Sequence, residues 1–393
     1  MIHPQSFTKE WLDSHRAKPG YERINPPLVE KMIHALALVE QLSSQGLVFV
    51  FKGGTSLILL LEDAGRFSID IDIVTTASRE DIERVLTAIC SGKPFSRFEL
   101  NEKRSYKEGV PKAHYSLFYK SGWTDKEDHT LLDILFETHA YPALVRLPVK
   151  AEWIRTHEDD VLVNVPTAAA IAGDKLTAFA PATTGILYDQ GKEVEIVKQL
   201  HDVGRLYHRI DSMDVFIQAF TGTVTKEIHY RGGTCTMDEV LEDIVATAAL
   251  VARRERNKDE PYKTHFTEIK RGLLQFINYQ TRGAFRIDEA IVAGAKAALL
   301  AARIKTGDTS PLPVYEAGMK KSDYLVPQPD YIDLNKLPVE PLFYWHHTLK
   351  LLYPQPPKTV APLTAVAGED EGESGRHNGP ETAQIRPPDG YDS

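Results

Sequence analysis

The sequence contains two cysteines, no long apolar run and no excess of basic residues. Cys90 and Cys235 have no Cys-x-x-Cys partner, which excludes a disulfide framework and a cysteine-based zinc site. No stretch approaches the roughly 20 apolar residues that cross a bilayer. The first residues also lack the apolar core of a signal peptide. We therefore expect a cytoplasmic protein that has no membrane partner.

Positive charge is also lacking, because the formal net charge is −9 at pH 7. Seven acidic and three basic residues lie in 354–393, so four of the nine net negative charges belong there and five belong to the rest. This balance differs from the general positive charge of many nucleic-acid-binding proteins. A nucleic-acid partner would therefore need a local basic patch.

The strongest positive signal lies in residues 47–75, which we interpret as a strand, a Gly-Gly turn, a short helix and a second strand. In the second strand, isoleucines alternate with Asp70 and Asp72, and residues two apart in a strand share a face. The isoleucines therefore indicate a core face. The two carboxylates on the other face repel each other unless a divalent cation lies between them, and their oxygen atoms favour Mg²⁺ or Mn²⁺.

Gly53 and Gly54 stand between the first apolar strand and the short helix. Glycines in this position let backbone N–H groups approach an anion next to a helix N-terminus. A Gly-Gly pair alone is more often a tight turn, and Asp-x-Asp alone is common in surface strands. Together and in this order, the two patterns indicate a phosphate site beside a metal site, and hence nucleotide chemistry.

Four motifs carry a resemblance to a known family: KGGTSL at 52–57, RFSIDID at 66–72, GDKLTAF at 173–179 and KQLHDVGRL at 198–206. The first two resemble the DNA polymerase beta-like nucleotidyltransferases. Together the four are more similar to the AbiEii/AbiGii abortive-infection toxins, over roughly residues 30 to 300. The resemblance implies an α+β fold, in which a mixed nucleotidyltransferase sheet with helices precedes a helical C-terminal domain.

The resemblance also implies an activity. Such an enzyme uses Mg²⁺ or Mn²⁺ to transfer a nucleotidyl group from an NTP to an acceptor, and it releases pyrophosphate. The implied acceptor is the tRNA 3′ end, and the implied role is that of a toxin in a toxin–antitoxin or phage-defence system, opposite an antitoxin of the transcriptional-repressor type. The alternatives are transfer to a small molecule or a protein, and nucleotide binding without catalysis.

By the same resemblance, the metal ligands are Asp70, Asp72 and Asp133, which act in catalysis together with Lys175. The implied nucleotide-binding residues are Lys52, Gly53, Gly54, Thr55, Arg66, Ser68, Lys175 and Asp202. Asp133 interrupts an apolar run, so it needs either a metal ion or a structural partner, and Glu137 is the weaker substitute. Without the resemblance, Lys175 would be an ordinary lysine beside a buried seam.

One position departs from the family pattern. Residues 198 and 199 are Lys-Gln, where the related toxins usually have a basic residue followed by an acid, although Asp202 is retained. Which residue does the work of the missing acid is therefore open. The candidates for RNA contacts are Lys103, Arg104, Lys107 and the arginine cluster at 253–256. Solvated surfaces are the alternative explanation for these basic residues.

Changes of pattern along the chain predict five segments. They are a loose N-terminal arm at 1–26, a nucleotidyltransferase domain at 27–165, a helical domain at 166–310, a proline- and aromatic-rich extension at 311–353 and a disordered tail at 354–393. The prolines within 141–166 predict a break between the sheet and the helices. The aromatic residues of the extension predict a strap over the body, and low hydrophobicity predicts the disorder of the tail.

Overall fold

The structure is a computed structural model that describes residues 1–22, 24–105 and 110–354. Its strands are β1 (Val50–Lys52), β2 (Asp70–Thr75), β3 (Phe95–Leu100), β4 (Lys112–Lys120), β5 (Glu127–Phe136), β6 (Leu144–Pro148) and β7 (Leu162–Pro166). Its helices are α1 (Lys9–Arg16), α2 (Pro26–Ser44), α3 (Gly53–Leu60), α4 (Arg79–Cys90), α5 (Glu102–Ser105), α6 (Ala168–Ala178), α7 (Glu193–Leu206), α8 (Met213–Tyr230), α9 (Met237–Arg253), α10 (Tyr262–Phe276), α11 (Ile287–Thr306) and α12 (Val339–Leu352). The predicted tail beyond Pro354 lies outside the described residues, as does Lys107.

The strands form one mixed sheet in the order β3-β4-β5-β2-β1-β7-β6. β2 is parallel to β5 and β1 is parallel to β7, while the other neighbouring strands are antiparallel. Helices α6 to α12 follow the last strand. The predicted α+β class, in which a mixed sheet precedes a helical region, is confirmed.

β2 is a central strand whose two faces differ in polarity. Ile71 and Ile73 are 0% and 1% exposed, and they pack in the core that the sheet shares with α2 and α4. The aspartates of this strand point to the opposite face, because side chains alternate along a strand. The register pairs Asp72 with Asp133 of β5 on one side and with Lys52 of β1 on the other. The polar residues of β2 therefore lie at the centre of the sheet.

The N-terminal residues pack against the sheet, so the prediction of a loose arm is wrong. Leu12 of α1 is fully buried, and Tyr21 is 4% exposed. Trp11 donates a hydrogen bond from Nε1 to the Trp153 carbonyl at 2.8 Å. The partners of these side chains lie far along the chain, and no local pattern reveals them.

The stretch predicted as a break contributes two strands to the sheet. β7 pairs with β1, and β6 pairs with β7 at the edge of the sheet. The two strands end in Pro148 and Pro166. Proline is tolerated in an edge strand and where it needs to donate no ladder hydrogen bond. Because each strand has five residues and ends in a proline, its alternation is too short to distinguish it from a loop.

Helices α6 to α12 bury a second apolar core. Thr167 caps α6 by accepting a hydrogen bond from the Ala170 N–H at 3.4 Å, as its residue type predicts. α12 corrects the prediction of an aromatic strap, because Phe343, Tyr344 and Trp345 are at most 3% exposed and pack in this core as part of a helix. A proline-rich context conceals the period of that helix in the sequence.

A short backbone ladder joins the segment before β2 to the loop after α10. The Phe67 N–H donates to the Tyr279 carbonyl at 2.7 Å, and the Thr281 N–H donates to the Gly65 carbonyl at 3.1 Å. Residues 1–354 form one compact unit, and the predicted boundaries at 26, 165 and 310 stay predictions. None of the helices in the described residues is long and apolar enough to cross a membrane.

Candidate active site

Three aspartates lie together on the polar face of the sheet. Asp70 and Asp72 are on β2, and Asp133 is the register partner of Asp72 on β5. Burial and the charge of Asp133 raise the pKa of Asp72 to about 7. The same two causes raise the pKa of Asp70, whose greater exposure to solvent screens the neighbouring charges. The three carboxylates therefore act on one another, in the arrangement that the sequence predicts.

Asp133 has partners that the sequence analysis missed. His114 Nδ1 lies 2.5 Å from Oδ1 of Asp133, and Arg104 Nη2 lies 3.6 Å from Oδ2. His114 Nε2 is buried and has no hydrogen-bond partner among the described residues. Glu137, the weaker candidate for the third carboxylate, instead forms an ion pair with Lys226 of α8 at 2.6 Å. The structure therefore places Asp133, and not Glu137, beside Asp72.

The Gly-Gly turn fits closely against β2. At Gly53 φ is +75°, and a Cβ atom there would lie 2.0 Å from Oδ2 of Asp72. At Gly54 a Cβ atom would lie 2.5 Å from the Arg66 guanidinium and 2.7 Å from the Ser68 hydroxyl. Glycine is required at both positions, because a side chain would displace groups that are expected to bind the metal ion or the nucleotide. The next residue in the chain is also tied to β2, since the Thr55 hydroxyl donates to the Asp70 carbonyl at 2.5 Å.

A buried ion cluster lies on the helical side of the site. Arg66 donates to the two carboxylate oxygens of Asp202 at 2.7 and 2.6 Å, and Lys175 Nζ lies 3.1 Å from one of them. Burial alone would raise the pKa of Asp202, but Arg66 and Lys175 hold it well below its usual range. Burial lowers the pKa of His201, which is therefore neutral at pH 7. Two cations against one carboxylate leave this cluster with a net positive charge.

Lys52 belongs to a second group of polar residues. Its Nζ atom lies 3.5 Å from Oδ2 of Asp174 in α6, and the Tyr141 hydroxyl donates to the same oxygen at 2.6 Å. Lys52 was predicted to bind the nucleotide, whereas Asp174 and Tyr141 were not predicted to lie at the site. The sequence signal that places Asp174 near the site is its position next to Lys175 within the GDKLTAF motif.

Lys198 of α7 also acts on the aspartates. Its Nζ atom lies 3.9 Å from the centre of the Tyr279 ring and 3.6 Å from Oε1 of Glu195. Burial and the charge of Arg66 lower the pKa of Lys198. Its positive charge in turn opposes the upward shift of the Asp70 pKa. Lys198, the first residue of the Lys-Gln pair that departs from the family pattern, therefore contributes a cation to the site. This role was not predicted from the sequence.

The residues of this site fit a divalent cation. Among the described residues, no group of three or more His, Cys, Asp and Glu side chains already surrounds a common point. Asp72 is nevertheless a carboxylate whose pKa is raised by burial and by neighbouring carboxylates, and its Oδ2 atom stands where a side chain at residue 53 would lie. A cation bound there would offset the repulsion. Water or phosphate oxygens would complete its coordination.

A cavity of about 590 Å³ borders the buried ion cluster without containing the aspartates. Its lining includes Gly65 and His201, the chain neighbours of Arg66 and Asp202. We place the candidate site at the aspartates, because carboxylates with raised pKa values surrounded by cations indicate chemistry more specifically than volume does.

Residues 36–285 match the family model of the nucleotidyl transferase AbiEii toxins of type IV toxin–antitoxin systems. The class of protein is therefore a nucleotidyltransferase, as its motifs predict. The match covers well over half of the chain and includes the candidate site residues from Lys52 to Asp202. This chain belongs to the AbiEii toxin family, and an antitoxin is the partner that such a system implies.

Two solved structures from Helicobacter pylori are similar to this chain. JHP933 is 16% identical, and the similarity covers 76% of this chain and 96% of that chain with a TM-score of 0.34. A candidate nucleotidyltransferase is also 16% identical and covers 71% of this chain and 96% of that chain, with a TM-score of 0.33. These values carry no argument about residues or substrates. No curated protein matches this chain significantly.

Proposed function

We propose that this protein is a metal-dependent enzyme that transfers a nucleotidyl group from an NTP to an acceptor hydroxyl and releases pyrophosphate. The observation that carries the proposal is the pairing of Asp72 with Asp133 on neighbouring strands, beside Asp70 and next to a Gly-Gly turn. Such a group of carboxylates suits Mg²⁺ or Mn²⁺. The family to which the chain belongs supports the same reaction.

The proposal gives each residue a task. Asp70 and Asp72 hold the cation, and Asp133 helps to hold it and accepts the proton of the attacking hydroxyl. The bound cation would stabilise negative charge on the attacking and leaving oxygens. The backbone at Gly53 and Gly54 receives phosphate oxygens at the start of α3. The remaining nucleotide-binding residues are Lys52, Thr55, Arg66, Ser68, Lys175 and Asp202.

Charge supports a triphosphate substrate. The positive charges of Lys52 and Lys175 act on Asp72, and those of Lys198 and Arg104 act on Asp70. These cations come from different parts of the chain and converge on the polar face of the sheet. Positioned cations of this kind stabilise the charge that develops during phosphoryl chemistry. Asp202 contributes by holding Lys175 and Arg66 in place.

We propose the tRNA 3′ end as the acceptor, because it presents a free hydroxyl and because growth arrest by a toxin follows from blocking it. Arg104 supports a local RNA contact, since its half-exposed side chain lies beside Asp133. The arginines at 253–256 support it less, because Arg253 and Arg256 pair with Asp333, and Arg254 pairs with Asp288. The proposed antitoxin is a transcriptional repressor made with the toxin.

The decisive experiment incubates the purified full chain with total RNA, Mg²⁺ and each labelled NTP in turn. We expect label at the 3′ end of tRNA, and none after periodate oxidation of the RNA, which removes the 3′ hydroxyl. Asp70→Asn and Asp72→Asn should abolish the transfer. Asp160→Asn is the matched control, because Asp160 pairs with Lys150 at the surface. It should transfer normally.

Three results would change the proposal. Transfer that persists without Asp72 removes the mechanism. Label in a small molecule or a protein, with none in RNA, replaces the acceptor with one of the alternative classes. NTP binding without transfer to any acceptor leaves a nucleotide-binding protein. Expression in cells gives an independent check, because growth should stop in a manner that depends on Asp70 and Asp72.

A further inference from the structure

Lys52 has an unusual choice of partner. It is the register partner of Asp72 on the neighbouring antiparallel strand, and opposite charges at such positions attract each other. The ion pair that the described residues give Lys52 is instead with Asp174 of α6, at 3.5 Å. The lysine therefore forms its ion pair with a carboxylate that the site does not use, although its charge still acts on Asp72.

Asp174 is well placed to hold this lysine. Its side chain is 15% exposed, and it accepts a hydrogen bond from the hydroxyl of Tyr141, which is 8% exposed. Burial alone would raise the pKa of Asp174, but the charge of Lys52 and the Tyr141 hydroxyl hold it below its usual range. Asp174 is therefore a carboxylate anion at neutral pH, fixed by a tyrosine that has few conformations open to it.

The arrangement bears directly on Asp72. A direct ion pair with Lys52 would neutralise this carboxylate and would compete with a divalent cation for its oxygen atoms. We propose that Asp174, held by Tyr141, is a positioning residue that draws the Lys52 ammonium away from Asp72 and keeps the Asp72 carboxylate available to a divalent cation. This inference rests on the proposed function, because it concerns the metal site of that reaction.

A positioning role for Asp174 predicts that its charge affects the affinity for a divalent cation, whereas a merely structural role does not. If Asp174 loses its charge, Lys52 is released and pairs with Asp72. The affinity for a divalent cation should then fall by about tenfold, the lower end of what loss of a supporting residue costs at metal sites. If Lys52 is removed as well, it no longer competes for Asp72, and the affinity should return.

The experiment measures Mn²⁺ binding to the purified full chain by electron paramagnetic resonance, which detects the free aqueous ion. Asp174→Asn should weaken Mn²⁺ binding about tenfold, and Lys52→Met should not weaken it. The double variant Lys52→Met/Asp174→Asn should bind as tightly as Lys52→Met alone, since the two residues act through one contact. Equal affinity of Asp174→Asn and the wild type would overturn the inference, and so would a double variant as weak as Asp174→Asn.

Tyr141→Phe provides a second test that leaves both charges in the protein. It removes the hydroxyl that fixes Asp174, so it should weaken Mn²⁺ binding in the same direction, but by less than the about tenfold loss expected of Asp174→Asn, because Lys52 and Asp174 keep their charges. Tyr115→Phe is the matched control, because the Tyr115 hydroxyl donates to Glu83 at 3.0 Å and belongs to the core face. It should leave the affinity unchanged. If Tyr141→Phe behaves like the control, the inference is wrong even where Asp174→Asn fails to fold.

The failure of this inference is distinguishable from the failure of the proposed function. A wild type that transfers nucleotides and binds Mn²⁺, with Asp174→Asn binding it equally well, overturns the inference alone. A wild type that neither binds Mn²⁺ nor transfers nucleotides overturns the inference and the proposed function together. Asp72→Asn gives the Mn²⁺ affinity of a protein that has lost the metal site, and it serves as the reference.

Discussion

At the residue scale, the site places excess negative charge on the sheet and excess positive charge on the helices. Asp72 has a pKa near 7 because it is buried beside Asp133 and Asp70. Arg66 and Lys175 share the single carboxylate of Asp202. The carboxylates are destabilising by themselves, because like charges lie close together with little solvent between them, and the second set carries a positive charge that Asp202 does not balance. A nucleotide with its cation would supply charges of both signs and relieve both sets.

The raised pKa of Asp72 predicts that the metal-free protein is destabilised at alkaline pH. The usual pKa of 3.8 applies to the unfolded chain, whereas the folded value is about 7. Between these values the folded state binds more protons, so the free energy of unfolding falls as pH rises from about 4 to 7. Asp72→Asn should therefore raise the stability at pH 8 by about 1 to 3 kcal/mol.

Thermal melts with a metal chelator, recorded at pH 5 and pH 8, check this prediction. The difference between Asp72→Asn and the wild type should shrink toward pH 5, where the folded protein keeps Asp72 protonated. Mn²⁺ should stabilise the wild type at pH 8 and leave the variant unaffected. A variant that is less stable than the wild type at pH 8 without metal would show that Asp72 is held by favourable interactions.

Lys175→Met tests whether Lys175 meets the nucleotide. Asp202 keeps its bidentate partner Arg66, so the variant should fold. The KM for the NTP should rise by roughly 10-fold or more, because a charge-assisted contact is lost. Lys296→Met is the matched control, since Lys296 is a buried lysine of α11 whose hydrogen bond is with His208. Unchanged kinetics in Lys175→Met would leave Lys175 with a packing role.

The sequence could predict those site residues that stand in a local pattern. The alternation around Asp70 and Asp72 gives their shared face, and the apolar run around Asp133 marks it as an unusual acid. His114 and Tyr141 have no such pattern, and Asp174 is marked only by its place beside Lys175 in the GDKLTAF motif. They reach the site only through strand register and the packing of α6 against the sheet, which are set by contacts between distant parts of the chain.

At the scale of elements, the Gly-Gly turn is the connection on which the site depends. It joins β1 to α3, and it leaves room for Asp72 at Gly53 and for Arg66 at Gly54. The helix that follows is short and apolar, and it buries Leu57 and Ile58. A substitution in this turn therefore acts on the site and on the fold together.

Gly53→Ala should destabilise the protein strongly and abolish transfer. The new Cβ would lie 2.0 Å from Oδ2 of Asp72, and the backbone would remain at φ +75°. Gly307→Ala is the control for backbone strain alone, because Gly307 has φ +64° and nothing within 4 Å of the position of a Cβ. The control should cost about 1 to 2 kcal/mol and leave transfer intact. Denaturant unfolding and the transfer assay separate the effects, and equal losses in the two variants would exclude the steric argument.

Elements with a long periodic signal are the ones that the sequence predicts well. β1, α3 and β2 lie close to the strand, the short helix and the second strand that residues 47–75 predict. β6, β7 and α12 were missed because prolines border them and because β7 pairs with β1 and α12 packs against α11, which are remote in sequence. Their apolar residues can be assigned to a strand or a helix only when their packing partners in the sheet and the helical core are known.

At the scale of the whole molecule, the helical core of the described residues extends to α12. A chain ending at Pro354 should keep its melting temperature and its activity, because 355–393 contains few apolar residues that could offset the entropy of ordering it. A chain ending at Leu337 loses Phe343, Tyr344 and Trp345, and it should unfold at room temperature or form aggregates. Calorimetry of the two truncated chains decides the matter. A large loss of melting temperature in the first chain would contradict the prediction.

The ladder between 65–67 and 279–281, together with the bond from Arg66 to Asp202, has a consequence for how the toxin is made. The ribosome produces the strand with Asp70 and Asp72 early, but the partners that seat the residues before it emerge much later. The nascent polypeptide therefore carries these aspartates for most of its synthesis without the groups that complete their surroundings. A messenger RNA cut before the codon of Asp202 would yield a fragment that lacks the carboxylate partner of Arg66.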